Sequence, residues 1–327
     1  MLRDSFGRHI TDLRLSVTDR CNFQCVYCKP QLEGRWVDRR ELLTFEELER
    51  VARIFVSLGI EKIRITGGEP LVRQNVESLI GRIARIPGLR DLCMTTNAYI
   101  LADKVEELRK VGLQRVSISL DTLNSEKFTA ITGQDSFQKV LQGIDAALAA
   151  GLKPVKVNAV IMRDINDDEL IDFARFARDK GVVFRFIEFM PLDADHQWSR
   201  NRVVTLEEML RIISAFKGLV PLPPHTLSET ARRFQFEDGD GEIGIIASVS
   251  RPFCGQCSRI RLTADGKIRT CLFSIVEYDL RALLRSGAGD SELCDFIRDV
   301  VDHKEERHHI NDPDFQPPRR DMSLIGG

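Results

Sequence analysis

A short run of apolar and β-branched residues, a polar turn, then apolar residues at helical spacing: this unit recurs six times over the first two-thirds of the chain. The runs 13–18, 62–66, 92–96, 115–120, 154–161 and 182–189 predict strands, and the periodic stretches near 45–58, 75–86, 101–111, 137–149, 167–179 and 206–216 predict helices. The first helix gathers Phe45, Leu48, Val51, Ala52, Phe55 and Leu58 on one face. Thr44 with Glu47, and Thr205 with Glu208, carry the capping-box pattern, and Asn166 is the expected cap of the fifth helix. Gly59, Gly112, Gly151 and Gly181 supply stops.

Alternating strands and helices imply a parallel sheet with crossover connections. Six units are too few to close an eight-stranded barrel. A doubly wound open sheet would satisfy the same pattern. The unusual residues fall at the C-terminal ends of successive strands, where barrel enzymes assemble their sites, which favours an α/β fold with an incomplete (β/α)6 TIM-type barrel. Beyond about residue 217 the pattern breaks. Pro221, Pro223 and Pro224 read as a linker, followed by strand-like runs at 234–236, 242–248, 259–262 and 267–270 and a helical stretch near 277–301. The expected division is a barrel over 1–220 and a C-terminal α+β domain over 221–327, with a polar tail ending in Gly326 and Gly327.

Composition narrows the partners. The 327 residues are 43% hydrophobic and 29% charged, an ordinary globular balance. A net charge of −2 gives no global field for nucleic acid or a membrane surface, so any anion site must rest on local arginine clusters. No run approaches the roughly 18 apolar residues of a membrane span. Residues 1–14 are charged and lack an apolar signal-type core, so a cytoplasmic location is expected. In that reducing setting eight cysteines point to metal chemistry rather than disulfides.

The cysteines fall into groups. Cys21, Cys25 and Cys28, at x3 and x2 spacing, can hold three irons of a [4Fe–4S] cubane, which normally takes four thiolates. The fourth iron would then be open to a small molecule. Structural zinc is the competing reading, but it wants four protein ligands. Cys254, Cys257 and Cys271 form a second triplet, with a zinc ribbon completed by Cys294, His303, His308 or His309 as its rival. Cys93 and Cys294 otherwise read as small buried apolar groups.

Between the triplets lies a series of polar strand-end residues. Gly67 and Gly68 permit close backbone approach, and Glu69 offers an acceptor for an ammonium group. Thr95, Thr96 and Asn97 end the third strand, and Ser117, Ser119 and Asp121 punctuate the fourth. Lys156 and Asn158 share one face of the fifth strand, and Arg185, Glu188 and Met190 come from the sixth. Arg14, Arg64, Lys156 and Arg185 would place four cations at one barrel mouth, which suits a polyphosphate. Arg259 and Arg261 alternate on one strand and add to them.

With Tyr27 before its last cysteine, the first triplet resembles the radical S-adenosylmethionine (SAM) motif. The lead-in over 14–21, the run Thr66-Gly-Gly-Glu-Pro70, the run 185–190, Cys254-x2-Cys257-Ser-Arg-Ile-Arg261 and the terminal Gly-Gly are similar to the GTP 3′,8-cyclase family of molybdenum cofactor biosynthesis, radical SAM lyases. That resemblance spans nearly the whole chain. It implies that Cys21, Cys25 and Cys28 hold the cluster that binds SAM, and that Cys254, Cys257 and Cys271 hold a second [4Fe–4S] cluster. Tyr27, Gly68, Ser119 and Met190 take the positions of SAM contacts. Arg14, Arg64, Thr95, Lys156, Arg259, Ile260 and Arg261 take those of GTP contacts, with Arg185 beside them.

Gly326 and Gly327 are implied to reach the site and assist the reaction. In that reaction an electron splits SAM, and the resulting 5′-deoxyadenosyl radical takes hydrogen from C3′ of GTP. Attack on C8 then gives (8S)-3′,8-cyclo-7,8-dihydroguanosine 5′-triphosphate. The implied partners are an external electron donor and a downstream cyclic pyranopterin monophosphate synthase, with a monomeric or homodimeric enzyme. One departure stands out: Ala98 follows Asn97 where the family commonly has glycine. A left-handed residue there would cost roughly 1 kcal/mol, and a local adjustment is expected. The alternatives are a peptide-modifying radical enzyme, which usually carries more C-terminal cysteines, and a zinc-stabilised nucleotide-binding module.

Overall fold

The computed structural model describes residues 1–28, 36–193 and 198–326. Six strands, β1 (Asp12–Ser16), β2 (Lys62–Thr66), β3 (Asp91–Thr96), β4 (Arg115–Ser119), β5 (Lys156–Ile161) and β6 (Val183–Glu188), pair in chain order and in parallel. Strict alternation explains their orientation. Leu13, Leu15, Ile63, Ile65, Val116, Ile118, Val157, Phe184 and Phe186 are fully buried and join the core under the helices, while their polar neighbours face the other way. The helices Phe45–Ser57, Val76–Ala84, Leu101–Lys110, Phe137–Ala149, Leu170–Lys180 and Leu206–Phe216 occupy the expected positions. Both capping boxes form.

The remaining strands are β7 (Leu219–Leu222), β8 (Arg232–Phe236), β9 (Glu242–Ile246), β10 (Arg259–Leu262), β11 (Lys267–Arg269) and β12 (Tyr278–Asp279). They extend the same sheet, whose order is β12-β11-β10-β1-β2-β3-β4-β5-β6-β9-β8-β7. β10 adds in parallel to β1 and β9 in parallel to β6, so eight parallel strands line the curve. The sheet stays open, with β12 and β7 as its edges.

Three local expectations change. Pro221 lies inside β7 rather than in a linker, paired antiparallel with Phe234. A proline without an N–H is tolerated there because β7 is an edge strand. The helical stretch near 277–301 is β12 followed by two helices, Leu280–Arg285 and Asp290–Asp302, separated at Gly287 and Gly289. Asn166 does not cap its helix with its side chain. That side chain donates to the carbonyls of Asp121 (2.6 Å) and Val160 (2.8 Å) and accepts from the Met162 amide, tying the ends of β4 and β5 together. A further helix, Ser125–Thr132, precedes Phe137–Ala149; Asn124 caps it with bonds from the amides of Glu126 and Lys127. None of the described helices is long and apolar enough to cross a membrane.

Ala98 takes a left-handed backbone, φ 61°, and is fully buried. The adjustment lies opposite it: a β-carbon at Gly143, in the helix Phe137–Ala149, would sit 2.5 Å from the Ala98 carbonyl oxygen and 2.9 Å from its Cβ. Ala98→Gly is therefore expected to stabilise the apoprotein by about 0.5–1 kcal/mol, read as a higher denaturant midpoint. A lower midpoint would mean that the methyl group's packing outweighs the backbone strain.

Candidate active site

The inward residues of the strands enclose one cavity of about 580 Å³. Strand register sets its levels. Asp12 pairs with Lys62 and Arg259 at one end of the strands, Arg14 with Arg64 and Arg261 in the middle, and Ser16 with Thr66 at the other end. The loop carrying Cys21, Cys25 and Cys28 leaves the C-terminal end of β1. Cys254 and Cys257 precede β10, which runs parallel to β1, and antiparallel β11 brings Cys271 back to that same end. Both triplets line the cavity from opposite ends, all six thiols half-buried and none in a disulfide.

Gly67 and Gly68 hold the first loop in place. A β-carbon on Gly68 would lie 2.3 Å from the Arg20 carbonyl oxygen, and one on Gly67 would lie 2.6 Å from that of Thr18. The gap is closed by Gly68 N–H donating to Thr18 (2.8 Å) and Glu69 N–H to Arg20 (2.7 Å). The close approach that glycine permits is thus first to the chain's own segment leading into Cys21. The Glu69 carboxylate accepts from Thr96 Oγ1 (2.8 Å), Leu71 N (3.0 Å) and Asn97 N (2.7 Å), and burial pushes its pKa up to about 7. It braces the ends of β2 and β3 while lining the cavity. Tyr27 donates to Asp121 at 2.6 Å, which orients the ring beside the triplet; burial raises Asp121 to about 6. Glu188 is fully committed: it accepts from the amides of Leu206, Val249 and Ser250 and from the Ser250 hydroxyl.

The middle of the cavity is cationic and short of counter-charge. Asp12 is taken by Lys62 and Asp91 by Arg115. Among the described residues no carboxylate pairs with Arg14, Arg64, Lys156, Arg185 or Arg261, while the Nε atoms of Arg14 and Arg64 are buried without a partner. Arg64 donates only to hydroxyls, Ser117 at 3.0 Å and Thr95 at 3.3 Å; Arg185 donates to Asn158 (2.8 Å) and Ser117 (3.1 Å). Burial and mutual repulsion push Arg14 down to about 10, Arg185 to about 9 and Lys156 to about 8. Such a cluster is poised for a ligand that brings several negative charges.

Ser119 and Met190 line the same cavity. Ile260 does not: it lies between Arg259 and Arg261 with its side chain in the core under the helices. Cys294 packs against the apolar core, whereas Cys93 is fully buried on the face of β3 that carries Thr95, in register with Arg64, its thiol donating to the Ile63 carbonyl at 3.7 Å. His303 bonds Asp299 and His309 bonds Asp312, away from the cavity, whereas His308 lines it. The tail enters from the other side. Ile325 is buried in a small second core with Leu192, Val203, Val249, Phe273 and Ile310, and the Gly326 carbonyl accepts from Arg261 at 2.6 Å. Gly327 lies outside the described residues. Arg8 and Lys304, which brace the second triplet through backbone carbonyls, carry no spacing signal in the sequence.

Three thiols at each end suit the thiolate ligation of an iron–sulfur cluster. Each triplet comes from one short loop or strand pair, and His308, its Nε2 buried without a hydrogen-bond partner, lies beside the second. Among the described residues no three His, Cys, Asp or Glu side chains, those of the two triplets included, are drawn together as a single-ion site. Residues 15–177 match the radical SAM superfamily, and residues 182–310 match the family described as molybdenum cofactor synthesis C. The GTP 3′,8-cyclase of Rhodopirellula baltica is 46% identical, covering 100% of this chain and 92% of that protein. That of Acidothermus cellulolyticus is 44% identical over 94% and 87%. Among solved structures, Streptococcus suis SuiB bound to its precursor peptide SuiA superposes with a TM-score of 0.64, covering 94% of this chain and 66% of SuiB; at 14% identity this likeness speaks for the fold alone. With sequence likeness of this extent joined to a lumen flanked by two cysteine triplets, the chain belongs to the GTP 3′,8-cyclase family of radical SAM enzymes.

Proposed function

We infer that the lumen binds GTP, with its phosphates on the central cations, and that the chain cyclises it in the first step of molybdenum cofactor biosynthesis. The observation that carries this reading is the band of buried and half-buried arginines and lysine lying between the triplets, without carboxylate partners among the described residues. Cys21, Cys25 and Cys28 would hold the [4Fe–4S] cluster, with Tyr27, Gly68, Ser119 and Met190 around SAM; together these supply one-electron reductive cleavage of a sulfonium. Cys254, Cys257 and Cys271 would hold a second cluster facing the guanine from the opposite end.

The protein's own part is positioning and exclusion of water. Arg14, Arg64, Lys156, Arg185 and Arg261 fix the triphosphate, Thr95 adds a hydroxyl, and Arg259 and the Ile260 backbone lie at the guanine end. The ribose is thereby held between the two metal sites, and hydrogen-atom abstraction needs no general base. The barrel wall keeps solvent from the reacting carbon, and the tail lies against Ser16 and Thr66 at the SAM end. An external electron donor and a downstream synthase that takes the product complete the proposed scheme.

The cation band makes a binding prediction that needs no cluster. Apoprotein titrated calorimetrically should bind GTP at least about 100-fold tighter than GMP, since two further charged phosphates each gain roughly 1.5–3 kcal/mol of charge-assisted bonding. The difference should shrink as salt rises. Equal affinity for GTP and GMP would remove the triphosphate from the lumen.

A further inference from the structure

The two cysteine triplets sit in different charge environments. Beside the first, the Asp121 carboxylate acts on Cys25 and holds Tyr27, and the Phe23 amide (3.4 Å) and Asn97 Nδ2 (3.9 Å), both uncharged, donate to Cys21 Sγ. Beside the second, cations are fixed in place. Arg259 Nε donates to Cys257 Sγ at 3.3 Å, and its guanidinium lies 5.0 Å from the Phe253 ring centroid, which limits its freedom. Lys304 Nζ joins the Arg259 carbonyl (3.0 Å) to the carbonyl of Thr270, next to Cys271. Arg8 holds the Cys254 carbonyl at 2.9 Å, with its own charge met by Asp4. The opposing carboxylate, Glu305, is engaged by the Thr270 hydroxyl at 2.7 Å.

An N–H donor on a ligating sulfur, and a nearby fixed positive charge, both stabilise the more negative, reduced form of a cluster. We propose that Arg259 is a positioning residue of the second iron–sulfur centre, whose bond to Cys257 raises that centre's reduction potential above that of the first. This rests on the second triplet holding a cluster, as inferred above. Nε is committed to sulfur, which leaves the two terminal NH2 groups of Arg259 for the substrate. One side chain then couples the electron affinity of the second centre to occupancy of the lumen. The ordering follows from charge alone: the donor's electron resides preferentially at the second centre until a ligand alters its surroundings.

The test is an anaerobic redox titration of the reconstituted full-length enzyme, followed by electron paramagnetic resonance. A Cys25→Ala/Cys28→Ala variant isolates the second signal, and a Cys254→Ala/Cys257→Ala variant isolates the first. The isolated second signal should have the higher midpoint. In the first of these backgrounds, Arg259→Gln is expected to lower the reduced-to-oxidised ratio at a fixed ambient potential at least tenfold, a midpoint shift of about 59 mV for a one-electron couple. Arg259→Lys keeps the charge but not the Nε–H, so a smaller fall is expected, and it serves if the glutamine variant fails to load. Ratios unchanged in the variant that loads would overturn the proposal. Absence of any iron–sulfur signal in the Cys25→Ala/Cys28→Ala protein would instead refute the second cluster itself, and the proposal with it.

Discussion

Replacing Gly326 with alanine is expected to lower turnover about 100-fold while leaving GTP affinity nearly unchanged. Two features of the tail argue for so large an effect from one methyl group. Gly326 has φ +85°, a backbone conformation that strains an L-residue, and a β-carbon built there would lie 2.7 Å from Ser16 Cβ and 3.0 Å from Thr66 Oγ1. Ser16 and Thr66 belong to β1 and β2 and cannot retreat, because the opposite face of both strands is packed core. The alanine variant must therefore lift its terminus out of the slot, even though Ile325 remains anchored. Arg261 then loses its bond to the Gly326 carbonyl, and the end of the lumen nearest the first triplet opens to water. Steady-state turnover together with a nucleotide dissociation constant tests this directly. Turnover close to that of the unmodified protein would take the tail out of the mechanism.

Arg185→Met should weaken GTP binding about 10- to 150-fold, the equivalent of losing one charge-assisted contact of roughly 1.5–3 kcal/mol. Lys156→Met should behave similarly but supplies a sharper distinction. Burial and the neighbouring Arg185 depress the Lys156 pKa to about 8, so its charged form is disfavoured in the folded apoprotein. A group whose folded pKa is lowered from a basic value costs stability below that value, and the cost fades as pH rises from about 8 toward its unfolded value near 10.5. The methionine variant should therefore lose affinity for GTP yet unfold at an equal or higher denaturant concentration than the parent at pH 7. A merely structural lysine would give the opposite sign, a lower midpoint with unaltered nucleotide binding.

Where the local pattern carries the information, sequence and structure agree closely. β2 runs from Lys62 to Thr66 as its alternation predicts, because Arg64 and Thr66 face the lumen while Ile63 and Ile65 face the helices. The cation band was legible for the same reason: Arg14, Arg64, Lys156 and Arg185 share the parity of lumen-facing positions. What could not be read locally was pairing at a distance. Nothing within Arg259–Leu262 or Glu242–Ile246 announces that one will lie beside β1 and the other beside β6, since that register is set by the whole curve of the sheet.

Residues with two capabilities depart from the local pattern. Asn166 has the chemistry of a helix cap but is used as a clamp between β4 and β5, because its amide can donate and accept at once. Pro221 punctuates like a linker but is accepted by a strand whose outer edge has no neighbour. Ser125–Thr132 escaped notice because eight residues give little more than two turns of periodicity, and Thr129 and Thr132 blur it further. The partner of Ala98 was beyond reach for a different reason: Gly143 lies 45 positions away, and only packing connects them.

The central claim is that GTP lies between the two triplets with its ribose presented to the SAM end. GTP carrying deuterium at C3′, incubated anaerobically with SAM, a reductant and the cluster-replete protein, tests it most directly. The 5′-deoxyadenosine released should be one mass unit heavier than that from unlabelled GTP, and its formation should depend on the nucleotide. Unlabelled 5′-deoxyadenosine, formed equally fast with and without GTP, would contradict the placement of the substrate and the function drawn from it.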